Sequence, residues 1–152
     1  MRDPVLSKTE RAFLDDARSA ILVTIAADGR ARPVPICFVL DAGRPVLYTP
    51  LDEKPKTAVD PRRLARVRDI KGNPRVAVLV ERWDEDWANL AWLRCAGVAS
   101  MIEVGTRTAD RTAAIAALRE KYPQYSTHDL EARPIIRVTI ERATSWGALA
   151  LA

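Results

Sequence analysis

Two prolines set two residues apart, Pro33 and Pro35, interrupt a stretch from Ala31 to Leu40 that otherwise reads as a β-strand. Proline has no amide to donate, and residues two apart on a strand turn their backbone groups to the same side. One edge of this strand therefore lacks consecutive donors and cannot pair fully with a neighbour. The stretch reads as a sheet edge or a bulge, and unpaired backbone of that kind also borders ligand sites. Before it, Ser19 to Ala26 is rich in Ile, Val and Thr and runs into Asp28-Gly29, a dipeptide suited to the positive φ angles of a tight hairpin turn. Asp41-Ala42-Gly43-Arg44-Pro45 makes the next turn, and Val46 to Thr49 returns as a third antiparallel strand.

Helices flank this meander. Ser7-Lys8-Thr9-Glu10 fits a capping box ahead of the apolar stripe Ala12, Phe13 and Ala17, which predicts a helix over residues 8–17. Asp60-Pro61 supplies an N-cap and an N1 proline for a second helix that ends near Gly72-Asn73-Pro74, with Leu64, Val67 and Ile70 as its apolar stripe. Arg75 to Arg82 is a β-branched strand, and a long strand runs from about Ala91 to Glu103. Thr106 to Tyr122 carries Arg111, Ile115, Leu118 and Tyr122 at helical spacing and is stopped by Pro123; it is expected to pack outside the sheet. Pro134 to Ala143 alternates Ile136, Val138 and Ile140 with polar residues, as a half-buried strand does. The expectation is a mainly β, α+β fold: one domain over residues 1–152, with six antiparallel strands and three helices, its sheet curled into a barrel that removes its own edges.

The reactive side chains are few. Cys37 and Cys95 form no C-x-x-C, and His128 is the sole histidine, so no metal site is expected. Both cysteines lie in apolar strands and read as small buried hydrophobes, while His128 sits in a polar loop as a solvated residue. No nucleophile elbow, dinucleotide fingerprint or Walker loop is present. No catalytic residue can be named, and chemistry here calls for an imported cofactor. No apolar run approaches the ~20 residues of a membrane span and no basic-then-apolar leader opens the chain, so a cytoplasmic protein is expected.

Charge is concentrated. Between Lys54 and Arg75 eight basic residues (Lys54, Lys56, Arg62, Arg63, Arg66, Arg68, Lys71, Arg75) face two acidic ones, a local +6 in a chain whose total is +4. Three readings are open: a solvated helix face, a basic surface for nucleic acid, or a grip on a phosphate-bearing cofactor by Lys54, Lys56, Arg63 and Arg66, helped by amides at a helix N-terminus. A nucleic-acid partner is not expected, because aromatics near the run are few and no groove-reading motif appears.

Asp28-Gly29-Arg30-Ala31-Arg32-Pro33-Val34-Pro35, the hairpin through Leu47-Tyr48-Thr49, the Lys54-Pro55-Lys56 loop, and the run from Val67 to Val80 together resemble the pyridoxamine 5′-phosphate oxidase-like split β-barrel superfamily. The resemblance spans roughly Phe13 to Ile102. Within it, the stretch from Glu85-Asp86-Trp87 to Gly97 is similar to the branch that uses the deazaflavin coenzyme F420.

The resemblance implies a split barrel of the FMN-binding type that forms a homodimer with two cofactor sites at the subunit interface. Lys54 and Lys56 would hold the phosphate and Thr49 would add a hydroxyl, with the backbone at Val34, Pro35 and Ile36 bordering the ring. Trp87 of the partner, together with Trp92 or Arg94, would close the pocket. About nine residues more than simpler members carry, from Thr57 to roughly Ala65, leave the parts of Arg62, Arg63 and Arg66 open. The implied reaction moves a hydride between F420 and a small organic substrate; FMN, or cofactor binding without turnover, are the alternatives. Tyr48 is the one candidate proton donor, and a strand tyrosine also reads as a packing residue.

Overall fold

The computed structural model describes residues 4–51, 64–106 and 108–151. Its helices are α1 (Lys8–Asp16), α2 (Ala65–Gly72) and α3 (Ala109–Lys121). Its strands are β1 (Ala20–Ile25), β2 (Ala31–Ile36), β3 (Val39–Leu40), β4 (Val46–Pro50), β5 (Arg75–Arg82), β6 (Ala91–Ile102) and β7 (Ile135–Gly147). Among the described residues the expected six strands are seven, because Ala31 to Leu40 is not one strand: β2 ends at Ile36 and the chain resumes as β3 beyond Cys37-Phe38.

That break shapes the sheet. Its order is β2-β1-β5-β6-β7-β4-β3, all antiparallel, so β2 and β3 are opposite edges. Only two residues join them, a reach of about 10 Å, so the sheet has to curl until its edges come together. No ladder links β2 to β3 among the described residues. The barrel is split, and the expectation that it removes its own edges is corrected: both remain, one of them two residues long and the other carrying the prolines. Pro33 lies opposite Val23 and Pro35 opposite Ile21. The donors to β1 must then come from Arg32, Val34 and Ile36, which turns both prolines to the free edge.

Local chemistry sets the remaining elements. The amide of Glu10 donates to Ser7 Oγ at 3.1 Å and that of Ser7 to Glu10 Oε1 at 2.9 Å, a complete capping box. The β1–β2 turn is a three-residue loop in which Gly29 alone takes positive φ, at 86°, with its amide donating to Ala26 O at 2.8 Å. α2 begins at Ala65 with the extended Leu64 before it, later than Asp60-Pro61 suggests; residues 60–63 lie outside the described residues. β7 continues to Gly147, four residues past the expected end, because β6 is long enough to pair with it throughout.

Two cores result. Inside the curl, Leu22, Leu47, Val78, Leu93, Val138 and Ile140 pack together, with Phe13 and Leu14 of α1 and Val67 and Ile70 of α2 inserted among them. On the outer face, Val46 and Tyr48 join Ile102, Ile135 and Ile115 and Leu118 of α3. β4 therefore lies between the cores and every one of its residues is buried. α3 covers the sheet only on this side, and Arg111, Ile115, Leu118 and Tyr122 are all buried as their spacing predicts.

Candidate functional site

Register fixes which parts of the sequence share an end of the barrel. The end of β4 pairs with the start of β7, Pro50 opposite Ile135, and the end of β6 lies beside it, Ile102 opposite Ile135. The start of β5, the end of β1 and the start of β2 complete the same end, with Arg75 opposite Val98, Val23 opposite Ala77 and Arg32 opposite Thr24. α2 packs here against β1 and β6. Thr49, α2 and Arg75 thus share this end of the barrel, with Thr49 buried toward the interior and Arg75 exposed. The segment between Leu51 and Leu64 leaves and rejoins the fold at this end; Lys54, Lys56, Arg62 and Arg63 lie in it, outside the described residues.

Around α2, Arg68, Lys71 and Arg75 are exposed and Arg66 is half-buried. Asp69, the one acid on the helix, is buried and faces inward. Its Oδ2 accepts from Arg32 Nε at 2.7 Å and from Thr24 Oγ1 at 2.7 Å. Burial alone would raise its pKa, but these two donors outweigh that and hold it below the usual carboxylate range. Its charge is matched chiefly to Arg32, with Arg68 as a further neighbour, and it is the one acid against three basic residues on the helix, a local excess of positive charge. Thr49 is buried with its side chain on the inward face beside Leu47 and Leu51.

The expected ring site lies elsewhere on β2. Val34 and Ile36 face the interior, half-buried and buried, while Pro35 is exposed on the outer face. Pro35 starts a row running through Ile21, Leu79, Arg94 and Thr144. Trp92 and Trp146 stand opposite one another in the next row, and the Arg94 guanidinium lies 5.4 Å from the Trp92 ring centroid. Pro33, Val23, Ala77 and Ala96 form the row on the other side, followed by Val98. α3 covers the outer face at its β3–β4 side, and among the described residues no helix packs over the part formed by β2, β1, β5 and the start of β6. Trp146 is 53% exposed, Leu79 37% and Val98 36%, apolar side chains open to water on a face that Arg94 and Thr144 also share.

Trp87 is 71% exposed, on a 3-10 turn at Trp87–Asn89 that Asp86 caps by accepting from the amide of Ala88 at 3.1 Å. This turn joins the end of β5 to the start of β6, at the end of the barrel opposite Thr49 and α2. The twelve residues of β6 span about 35 Å between the two ends. One protomer therefore does not bring Trp87 to the cationic end.

The other singled-out residues are structural. Tyr48 is 2% exposed and its hydroxyl bridges Asp41 and Arg44, at 3.2 Å from each; burial, with Asp41 beside it, pushes its pKa up to about 12. Burial pushes the Cys95 thiol up to about 12 as well, and Cys37 is half-buried. His128 is not a solvated loop residue: it is half-buried with its ring edge-on to Tyr125, centroids 5.4 Å apart. The Asp69–Arg32–Thr24 cluster is the feature that sequence reasoning missed. Its members are 37 and 45 residues apart, and nothing local marks them.

Among the described residues no group of three His, Cys, Asp or Glu side chains could hold a metal ion, and no helix is long and apolar enough to cross a membrane. The sequence profile described as pyridoxamine 5′-phosphate oxidase matches residues 6–147. A search of curated proteins finds no match. Among solved structures, a conserved hypothetical protein from Mycobacterium tuberculosis is 21% identical with a TM-score of 0.70, over 97% of this chain and 88% of that one. The heme storage protein HutZ from Vibrio cholerae is 18% identical with a TM-score of 0.66, over 97% and 95% of the two chains. A structure described as F420 reductase is 21% identical with a TM-score of 0.63, over 88% and 94%. At these identities the likeness is one of fold.

Proposed function

This chain belongs to the pyridoxamine 5′-phosphate oxidase family, and on that premise we propose that it is an oxidoreductase that binds the deazaflavin coenzyme F420 between two copies of itself. The observation that carries the reading is the combination of an uncovered apolar sheet face with cations gathered at one end of the same sheet. A flat ring system with a long anionic tail asks for both. FMN has a single phosphate to hold, and the excess of cation favours the longer tail. The likeness in fold to an F420 reductase supports the same choice.

The residues fit such a group. Pro35 and the free edge of β2 offer the ring a backbone border without competing donors. Arg66 stands in the first turn of α2, where amides add partial positive charge, and Lys54 and Lys56 belong to the segment that returns to this end. Bound there, the coenzyme would supply hydride transfer to or from a small organic substrate. The chain's own part is to orient the ring and exclude water, since Tyr48 is sealed in the second core and is no proton donor.

A site that uses both Trp87 and the cations takes them from two copies. Trp87 and the cationic end are separated by the length of β6, and a two-fold axis across the apolar face would set one protomer's Trp87 turn against its partner's α2. The heme storage protein of like fold supports a different ligand, but here the sole histidine is half-buried against Tyr125, beside the core beneath α3 and not on the apolar face.

The test is direct titration of the purified protein with F420, FMN and heme, together with absorbance and mass spectra of any ligand released on denaturation. Tight F420 binding at one ligand per chain is expected. Preference for FMN would move the reading to the alternative cofactor, and binding of neither would end it.

A further inference from the structure

We infer that Arg32 is an oxyanion-binding residue, its guanidinium held by Asp69 and Thr24 so that its terminal nitrogens take a phosphate or carboxylate group entering at the α2 end of the barrel. Arg32 and Thr24 stand directly opposite one another on β2 and β1, which sets their side chains on one side of the sheet, and Asp69 of α2 bonds to both. Arg32 spends only Nε on this contact, donating to Asp69 Oδ2 at 2.7 Å. Among the described residues Nη1 and Nη2 have no hydrogen-bond partner. The Arg32 side chain is 46% exposed, whereas Asp69 is buried.

An arginine that served only to neutralise a buried carboxylate would hold it best with two parallel bonds. Here the carboxylate takes one bond from Nε, and the same oxygen accepts from Thr24 Oγ1 at 2.7 Å. The donors of both terminal nitrogens are left for another acceptor. Thr24 is fully buried, so its hydroxyl keeps Asp69 in place, and the buried carboxylate does not reach out to meet an incoming anion. The guanidinium is therefore oriented before a ligand arrives, which avoids ordering a long side chain on binding. Asp69 balances the charge of Arg32, so long-range attraction comes from the exposed Arg68, Lys71 and Arg75 around it. Arg32 supplies direction.

For its setting the inference rests on the coenzyme site proposed above. Arg32 lies three residues from Pro35 along β2, about 10 Å, the length scale of the ribityl chain that separates ring from phosphate in F420 and in FMN. A carboxylate on the organic substrate is the second source of the same chemistry. Lysine is no substitute at this position, because a single ammonium cannot hold Asp69 with one edge and a bidentate oxyanion with the other.

The experiment titrates the full-length protein and its Arg32→Gln, Arg32→Lys and Asp69→Asn variants with F420, FMN, riboflavin, inorganic phosphate and succinate, each variant first shown by circular dichroism to be folded. Arg32→Gln is expected to weaken F420 and FMN by about thirtyfold, and riboflavin, which has no phosphate, by less than about twofold. Arg32→Lys and Asp69→Asn, the one losing the fork and the other its support, should each weaken the two coenzymes by about tenfold. That pattern upholds the site and identifies phosphate as its ligand. Unchanged coenzyme affinity with loss of succinate binding in the Arg32 variants upholds it for a carboxylate. Failure of the wild type to bind either coenzyme would remove the coenzyme reading alone, since the nuclear magnetic resonance signal of Arg32 Nε–H should still shift on adding phosphate or succinate. Variants that melt at a lower temperature yet bind every probe within about twofold of wild type, or an Nε–H signal that neither anion moves, overturn the inference and leave Arg32 a structural partner of Asp69.

Discussion

Asp69 on α2 and Arg32 on β2 are joined at 2.7 Å, Nε to Oδ2, and Thr24 of β1 donates to the same oxygen at 2.7 Å. One carboxylate thereby ties the helix that bears the cations to the edge of the sheet. Removing it leaves a guanidinium and a hydroxyl without their acceptor. Asp69→Ala is expected to destabilise the fold by about 2 kcal/mol, measured by denaturant unfolding, because the Thr24 hydroxyl is left buried without its acceptor while the half-exposed Arg32 can turn to water. The folded carboxyl titrates below its ordinary 3.8, so the contribution is whole above that value and drains away as pH falls beneath it. The wild type should lose stability in that acid range, and Asp69→Ala should lose less.

The apolar outer face gives a second prediction. Leu79 and Val98 are partly exposed on β5 and β6, and neither belongs to the interior core. If the proposed dimer closes across this face, Leu79→Asp or Val98→Asp should convert it to a monomer in sedimentation while changing far-UV circular dichroism little, because each charge enters water in the monomer and an apolar interface in the dimer. Retention of the dimer in both variants would place the interface elsewhere.

Tyr48 separates packing from proton transfer. Its hydroxyl and Arg44 share Asp41, whose carboxyl burial would raise but whose bonds from Arg44, Gly43 and Tyr48 hold at about 2. Tyr48→Phe should cost about 1 kcal/mol in stability and leave the rate of F420-linked turnover within about twofold of wild type. A loss of a hundredfold or more with stability intact would restore the tyrosine as a proton donor.

Much of the fold is legible in local sequence. Ser7 and Glu10 announce α1, the prolines announce an edge, and the alternation of Ile136, Val138 and Ile140 announces β7. The break at Cys37-Phe38 is not legible, because both residues are apolar and fit a strand; only the meeting of two sheet edges explains why the chain leaves one ladder there. The site is less legible still. The cation cluster stands out by counting, but Asp69 reads there as one acid among arginines, and its partners are set by strand register. That Trp87 and Thr49 fall at opposite ends follows only from strand pairing: β5 and β6 meet at the Trp87 turn, while the register of β4 on β7 and of β7 on β6 sets Thr49 beside the far end of β6.

That separation supplies the most discriminating prediction. If each site takes its phosphate grip from one chain and Trp87 from the other, then Lys54→Ala/Lys56→Ala and Trp87→Ala homodimers are both defective at every site. The double lysine variant should weaken F420 binding by about a hundredfold, two charge-assisted contacts being lost, with the melting temperature of the cofactor-free protein nearly unchanged. Mixing the two variants and allowing subunits to exchange yields heterodimers in which one site carries both defects and the other carries none. Fluorescence titration of the mixture should then recover wild-type affinity at one site in each heterodimer. Were the lysines and the tryptophan of a single chain to serve the same site, every site in the heterodimer would keep one defect, and no tight binding would return.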